Sequence, residues 1–131
     1  MTMTEALLYG IPNCDQVRRA RKWLEAHRIA YRFHDFRKDG LSASLIESWC
    51  KHVPWDSLVN RRGRTWRLMT DTQRRSIVDQ TSAREALVAE PTLVKRPVLV
   101  HGSDVLVGFS EAVYERTLVP GAGLPNGRND A

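Results

Sequence analysis

The sequence has few cysteines and no long apolar run. It contains two cysteines in 131 residues, too few for a disulfide scaffold, and no cysteine–histidine pair has the spacing of a zinc finger. We therefore expect neither a disulfide framework nor a bound metal. No stretch approaches the roughly 18 apolar residues that a membrane-spanning helix needs. The first residues also lack the basic region and apolar core of a signal peptide, so the expectation is a cytoplasmic protein with no membrane association.

Positive charge is in modest excess. Lys and Arg total 20 against 15 for Asp and Glu, which gives a net charge of +5. The basic residues concentrate at 18–38 and again at 61–75. They indicate either a solvated surface or an attraction for small oxyanions, carboxylates or an acidic partner. Trp66 is the only aromatic residue in the second cluster, so we do not expect nucleic-acid binding.

Apolar periodicity predicts an α/β protein. Strands are expected at 6–9, 29–36, 98–100 and 105–107, and helices at 14–27, 42–52, 71–79, 82–89 and after Ser110. A strand–helix–strand unit makes the first two strands parallel, and the final hairpin adds an antiparallel edge. The prediction is a four-stranded mixed sheet with helices on its faces. Residues 1–119 are expected to form a single domain with a helical insertion at about 42–90, followed by a disordered tail over 120–131.

Cys14 is the strongest candidate for a reactive group. It follows a predicted buried strand and begins a predicted helix, for which Asn13 is the expected N-cap and Gln16 its capping-box partner. Free backbone N–H groups and the helix dipole stabilise a thiolate at such a position. A free cysteine can equally be a small buried hydrophobic residue, and that is our interpretation of Cys50.

The usual partner of a redox cysteine is absent. Val17 stands where a Cys-x-x-Cys motif has its second cysteine, so Cys14 cannot form a disulfide at that spacing. An oxidised Cys14 then needs an external thiol, which glutathione supplies in a reducing cytoplasm. The sequence thus predicts single-cysteine chemistry with glutathione as co-substrate and no bound cofactor.

Two further segments contain candidate anion-binding residues. Arg96 precedes Pro97 at the start of a predicted strand, where proline is tolerated as the first residue. Alternatively, Pro97 is a cis-proline beside the thiol, and Arg96 binds an oxyanion or carboxylate. The second segment, residues 60–67, has four arginines around one glycine and includes Arg61 and Arg62. It is either an anion-binding loop or a solvated basic loop.

Four motifs resemble, in order, those of the ArsC/Spx family, and most of all its single-cysteine branch typified by YffB. They are Tyr-Gly-Ile-Pro-Asn-Cys-Asp at 9–15 with residues 19–24, and the segments 58–67, 95–100 and 106–110. The resemblance extends over about residues 6–118. It implies a thioredoxin-like fold with a helical insertion between the second and third strands, and a glutathione-dependent thiol reductase.

The resemblance also implies roles for individual residues. In the glutathione-dependent arsenate reductases of the family, the cysteine matching Cys14 attacks arsenate, and the arginine matching Arg96 holds the oxyanion. Two further arginines of those enzymes fall where this chain has Asn60 and Gly108. Both differences remove positive charge, so thiol reduction is favoured. Arsenate reduction coupled to glutathione and glutaredoxin is the alternative.

The family includes regulators as well as enzymes. Spx-type members bind the RNA polymerase α subunit and often carry a Cys-x-x-Cys switch, from which Val17 departs. A non-enzymatic regulator of this kind is the second alternative. For the leading hypothesis, the catalytic residues are Cys14 and Arg96, and the residues that bind glutathione or substrate are Asn13, Arg61, Arg62 and Pro97. We expect a monomer.

Overall fold

A four-stranded mixed sheet organises residues 5–119, the part of the chain that this computed structural model describes. Its strands are β1 (Ala6–Gly10), β2 (Tyr31–Asp35), β3 (Val98–His101) and β4 (Asp104–Val107). The order across the sheet is β2-β1-β3-β4, with β1 parallel to β2 and the other two pairs antiparallel. The predicted topology is confirmed, and the fold is thioredoxin-like.

Helices follow each strand of the parallel pair and close the chain after the hairpin. They are α1 (Asp15–Ala26), α2 (Phe36–Asp39), α3 (Ala43–Cys50), α4 (Arg64–Leu68), α5 (Asp71–Arg75), α6 (Gln80–Ala89) and α7 (Glu111–Leu118). Two 3₁₀ turns, Trp55–Leu58 and Pro91–Leu93, flank the segment from α4 to α6. None of the helices within residues 5–119 is long and apolar enough to cross a membrane.

The alternation of side chains along the strands separates two apolar layers. Leu8 and Leu99 face one layer, where they join Trp23 of α1 and Tyr114 of α7. Their neighbours Tyr9 and Val98 face the other layer, which the helices between β2 and β3 cover. Since successive residues of a strand point to opposite faces, one short β1 strand contributes to both layers.

The helices between β2 and β3 are joined to the sheet through large buried side chains. Trp49 of α3 is buried and lies with its ring 5.2 Å from that of Tyr9. Leu87 of α6 is fully buried in the same cluster. Ser42 accepts a hydrogen bond from the Leu45 amide and caps α3, as its position before an apolar period predicted.

Several predicted boundaries are wrong by a few residues. The second strand begins at Tyr31 because the amide of Ile29 donates to the Leu24 carbonyl and completes the end of α1. The helix predicted over 71–79 ends at Arg75, and Asp79 instead caps α6. The basic segment was predicted as a loop throughout, but α4 starts at Arg64. The predicted disordered tail lies outside the described residues.

Candidate functional site

The loop between β1 and α1 presents Cys14 at the helix start. The Cys14 amide donates to the Ile11 carbonyl at 3.2 Å, which closes a turn over Pro12 and Asn13. The Cys14 carbonyl then accepts the first helical bond, from the Arg18 amide at 2.9 Å. Cys14 is therefore the N-cap, and the prediction of Asn13 with Gln16 as a capping box is wrong. Asn13 is exposed within the turn.

The Cys14 side chain makes neither a disulfide nor a capping hydrogen bond at this position. It is partly buried. The first amides of a helix have no partner within the helix, and the dipole is positive at this end. A sulfur held at the N-cap therefore lies where negative charge is stabilised, which is the environment of reactive cysteines.

Val17 explains structurally why a second cysteine is missing. Its side chain is fully buried. It also packs so closely on Gly10 that a Cβ atom added there would lie 2.7 Å from Val17 Cγ2. Val17, which stands where a Cys-x-x-Cys motif has its second cysteine, thus packs α1 against the end of β1.

The first turn of α1 also carries exposed charges. Asp15 pairs with Arg19 at 3.2 Å and more loosely with Arg18 at 4.0 Å. All three side chains are exposed, so each pair is weak. Their charges partly cancel beside the thiol.

Pro97 lies next to the cysteine loop, and the Arg96–Pro97 bond is cis. The pairing of Tyr9 with Val98 puts Pro97 beside the end of β1, from which the Cys14 loop departs. On its other side, the Pro97 carbonyl accepts a hydrogen bond of 2.8 Å from the Gly108 amide. Of the two alternatives left open by the sequence, the structure contains the cis-proline.

Arg96 is anchored to the backbone. Its Nη1 donates to the carbonyls of Thr92 at 2.8 Å and Val94 at 3.4 Å. Its Nε is buried with no hydrogen-bond partner within residues 5–119. The residue lines a cavity of about 330 Å³ together with Gln16 of α1 and Gly108. Arg96 thus reaches the neighbourhood of the cysteine helix with one edge of its guanidinium already occupied.

The basic segment forms a second cavity, of about 410 Å³, lined by Arg61 and Arg62. Asn60 shapes the turn that presents them, because its Oδ1 accepts a hydrogen bond of 3.1 Å from the Arg62 amide. Its amide nitrogen would lie only 2.6 Å from a Cβ atom on Gly63. Arg61 donates to the Asp56 carbonyl at 3.3 Å and leaves its charge exposed.

One residue that the sequence interpretation did not select lines both cavities. Lys95 contributes to the cavity of Arg61 and Arg62 and to the cavity of Arg96. It reaches this place through a long-range pairing: its amide donates to the Leu58 carbonyl at 2.8 Å, and Val59 pairs with Val94. Its position before Arg96 in the third motif was the signal that could have identified it.

The predicted site residues thus fall into three neighbouring groups. Arg61 and Arg62 line one cavity, and Arg96 lines the other. Asn13 and Cys14 precede Gln16, which lines the cavity of Arg96. Lys95 joins the first two groups, and Gln16 connects the cysteine helix to the cavity of Arg96.

Cys50 occupies a different environment. It is the last residue of α3, is partly buried, and packs against the apolar cluster that contains Trp49. Burial raises the pKa of the Cys50 thiol above its ordinary value, and the negative charge of Glu47 raises it further.

The fold and the placement of Cys14 define a thioredoxin-like protein with a cysteine at the start of its first helix. The chain belongs to the ArsC family, whose family model matches residues 9–117.

Three similar proteins extend over most of the chain. A protein of Haemophilus influenzae described as uncharacterized is 42% identical over 108 residues, covering 82% of this chain and 94% of its own. A solved protein named YffB is 38% identical with a TM-score of 0.81, covering 86% of this chain and 98% of its own. An arsenate reductase (ArsC) related protein from Brucella melitensis is 45% identical with a TM-score of 0.70, covering 89% and 97%.

More distant similarity connects the chain to regulators. The global transcriptional regulator Spx of Listeria innocua is 26% identical over 113 residues, which cover 85% of each chain. Proteins similar to this chain therefore have different functions, and the activity of this chain depends on its own site.

Proposed function

We propose that this protein is a glutathione-dependent thiol oxidoreductase in which Cys14 is the nucleophile. The observation that carries the proposal is the Cys14 side chain at the N-cap of α1, with no capping bond and no disulfide. The start of a helix favours the thiolate. Val17 excludes a resolving cysteine within the same motif, so a second thiol has to come from solution.

The reaction consists of two thiol–disulfide exchanges. In the first, the Cys14 thiolate attacks the glutathione sulfur of a mixed disulfide, forms a Cys14–glutathione disulfide and releases the substrate as a thiolate that takes a proton. In the second, a glutathione thiolate attacks the glutathione sulfur on Cys14 and leaves as oxidised glutathione. Cys14 returns to its thiolate, the substrate disulfide is reduced, and the glutathione that it carried leaves joined to one free glutathione as oxidised glutathione.

The basic residues of the two cavities bind the glutathione. Arg96 offers a planar guanidinium for a carboxylate, and Arg61 and Arg62 offer exposed charges in the neighbouring cavity. Asn13 and Pro97 flank the cysteine loop and contact the peptide backbone of glutathione. These interactions orient the sulfur for attack, and orientation is a large part of catalysis in exchange reactions.

The test is the glutathione-coupled reduction of a glutathionylated substrate. Cys14→Ser is expected to lower the rate at least about 100-fold, because serine cannot form the mixed disulfide. Cys50→Ser removes the other thiol and is expected to retain near-normal turnover, so it is the matched control. Full glutathione-dependent turnover by Cys14→Ser would overturn the proposal.

Arsenate reduction is the second candidate, favoured by the similarity to the ArsC-related Brucella protein. In that reaction the same thiolate attacks arsenate, and glutathione with glutaredoxin supplies the reducing thiols. Asn60 provides a turn and not a charge at one of the positions where arsenate enzymes carry arginine. Arsenite formed above the level of a Cys14→Ser control would establish this activity, and its absence would remove it.

A regulator that binds the RNA polymerase α subunit is the remaining alternative, and the similarity to Spx is its support. Capture of purified α subunit by the immobilised protein at low salt tests it. Capture that is unchanged in Cys14→Ser, combined with no thiol turnover by the wild-type chain, would favour the regulator over the enzyme.

A further inference from the structure

Lys95 is placed between two clusters of basic residues. It lines the cavity of Arg61 and Arg62 on one side and that of Arg96 and Gln16 on the other. The side chain is exposed. Within residues 5–119, no carboxylate pairs with its ammonium group. Its charge is therefore available to a ligand that enters either cavity.

The lysine stem lies against Gly108. A Cβ atom built on Gly108 would lie 3.4 Å from Lys95 Cε, so the stem passes directly over the glycine. Gly108 has φ +80°, a conformation that side-chain-bearing residues rarely adopt. The glycine follows β4, and the Lys95 side chain, from the segment before β3, lies close to it.

We propose that Lys95 is the central cation of one continuous anion site that extends over both cavities and binds a thiol with two separated carboxylates. This inference deepens the function proposed above and rests on it for the identity of the thiol. Arg61 and Arg62 take one carboxylate, Arg96 takes the other in the cavity that Gln16 also lines, and Lys95 links the two ends.

The charges that line the two cavities support this assignment. Four side chains are cationic, and Asp56 is the one acidic residue among those that line either cavity. An extended dianion would neutralise charges that the described part of the chain leaves unpaired. A small oxyanion would occupy one cavity and leave the cations of the other without a partner.

The first experiment measures the local charge without glutathione. Cys14 is alkylated in the full chain by iodoacetate, which is anionic, and by iodoacetamide, which is neutral, and the modified residue is identified by peptide mass spectrometry. Lys95→Gln is expected to lower the iodoacetate-to-iodoacetamide rate ratio about threefold at low ionic strength, because one positive charge is removed from a cavity that Gln16 of the cysteine helix also lines. Lys95→Arg is expected to preserve the ratio.

Lys51→Gln is the matched control. It removes the same charge from an exposed lysine that lines neither cavity, so the ratio should stay at the wild-type value. A ratio in Lys95→Gln equal to that of wild type would overturn the assignment of Lys95. An equal decrease in Lys51→Gln would overturn it as well, because net charge and not position would then be responsible.

The second experiment measures the ligand. In the coupled assay, Lys95→Gln is expected to raise the KM for glutathione about tenfold, because a cation that binds its carboxylates is removed. The rate at which reduced Cys14 reacts with bis(2-hydroxyethyl) disulfide, a substrate without carboxylates, should stay within about twofold of wild type. An unchanged KM for glutathione would overturn the dianion site. If the alkylation ratio decreases but no variant shows glutathione turnover, the Lys95 site stands and the proposed function fails.

Discussion

The two cysteines lie at opposite ends of their helices, and the contrast explains why one is a candidate nucleophile. Cys14 precedes the first turn of α1, whereas Cys50 is the last residue of α3. A helix dipole stabilises an anion at its start and destabilises one at its end. Cys50 further lies against an apolar cluster and near Glu47, both of which raise the pKa of its thiol.

The surroundings differ in the same sense. Lys95 and Arg96 line a cavity that Gln16 of α1 also lines, while the charge that affects the Cys50 pKa is the carboxylate of Glu47. Both thiols are partly buried, but their electrostatic surroundings differ. The lesson is that exposure alone does not identify a reactive cysteine, since the position on the helix and the sign of nearby charge decide it.

The largest expected effect is a difference in alkylation rate between the two thiols. At pH 7, iodoacetamide should modify Cys14 about ten times faster than Cys50, because burial and the Glu47 carboxylate raise the pKa of the Cys50 thiol, whereas the start of a helix stabilises an anion. Because its pKa is raised, Cys50 should still gain in rate above about pH 8.5, where an ordinary thiol is half ionised. The measurement is peptide mass spectrometry over a time course from pH 5 to 10.

Unfolding must be excluded as the source of Cys50 labelling. Circular dichroism at each pH serves as the control, and Cys14→Ser and Cys50→Ser allow each thiol to be followed alone. Equal rates for the two thiols at pH 7 would remove the contrast and, with it, the main support for Cys14 as nucleophile.

The second prediction compares the two helix starts. Ser42 caps α3 by accepting from the Leu45 amide at 3.2 Å, whereas Cys14 makes no capping bond at α1. Ser42→Ala should therefore lower the free energy of unfolding by about 1 kcal/mol. Cys14→Ser should leave it unchanged or raise it by up to about 1 kcal/mol, since serine is a favourable N-cap.

Urea unfolding monitored by circular dichroism measures both changes, and Ser103→Ala, at an exposed serine in the turn between β3 and β4, is the control. The pair separates function from folding, because Cys14→Ser then loses activity without losing stability. A marked loss of stability in Cys14→Ser would show that the thiol serves the fold.

The sequence was sufficient for the order of elements and for the position of Cys14 at a helix start, because both depend on local signals. Alternating apolar residues, the serine before α3 and the cysteine after a buried strand are all read within a few residues. Asn13 was predicted as the cap on its intrinsic preference alone. The turn that binds the Cys14 amide to Ile11 moves the helix start by one residue, and no propensity encodes that turn.

The anion site needed contacts between distant parts of the chain. Lys95 reaches the basic loop because its amide bonds to Leu58, 37 residues earlier by number. Arg96 is predicted from the sequence to bind an oxyanion or carboxylate, and the structure shows that its Nη1 already donates a hydrogen bond to the Thr92 carbonyl. Periodicity predicts which face of a helix or strand is buried, but it does not predict which two loops come into contact. The hydrogen bonds of Lys95 and Arg96 were therefore visible only in the structure.

The smallest expected effect is a change in the alkylation rate of Cys50 when Glu47 is neutralised. Glu47→Gln removes a negative charge that raises the Cys50 pKa, so that pKa should fall and the thiolate fraction at pH 8 should rise. Burial is the larger cause of the raised pKa and is unaffected, which limits the increase in alkylation rate to about twofold. Glu111→Gln, an exposed change of equal charge at the start of α7, is the control. Because Glu47 also pairs with Arg84, the variant Arg84→Gln distinguishes two causes. Faster alkylation of Cys50 in Glu47→Gln but not in Arg84→Gln assigns the effect to the carboxylate charge. Equal acceleration in both variants would assign it to a loosened contact between α3 and α6.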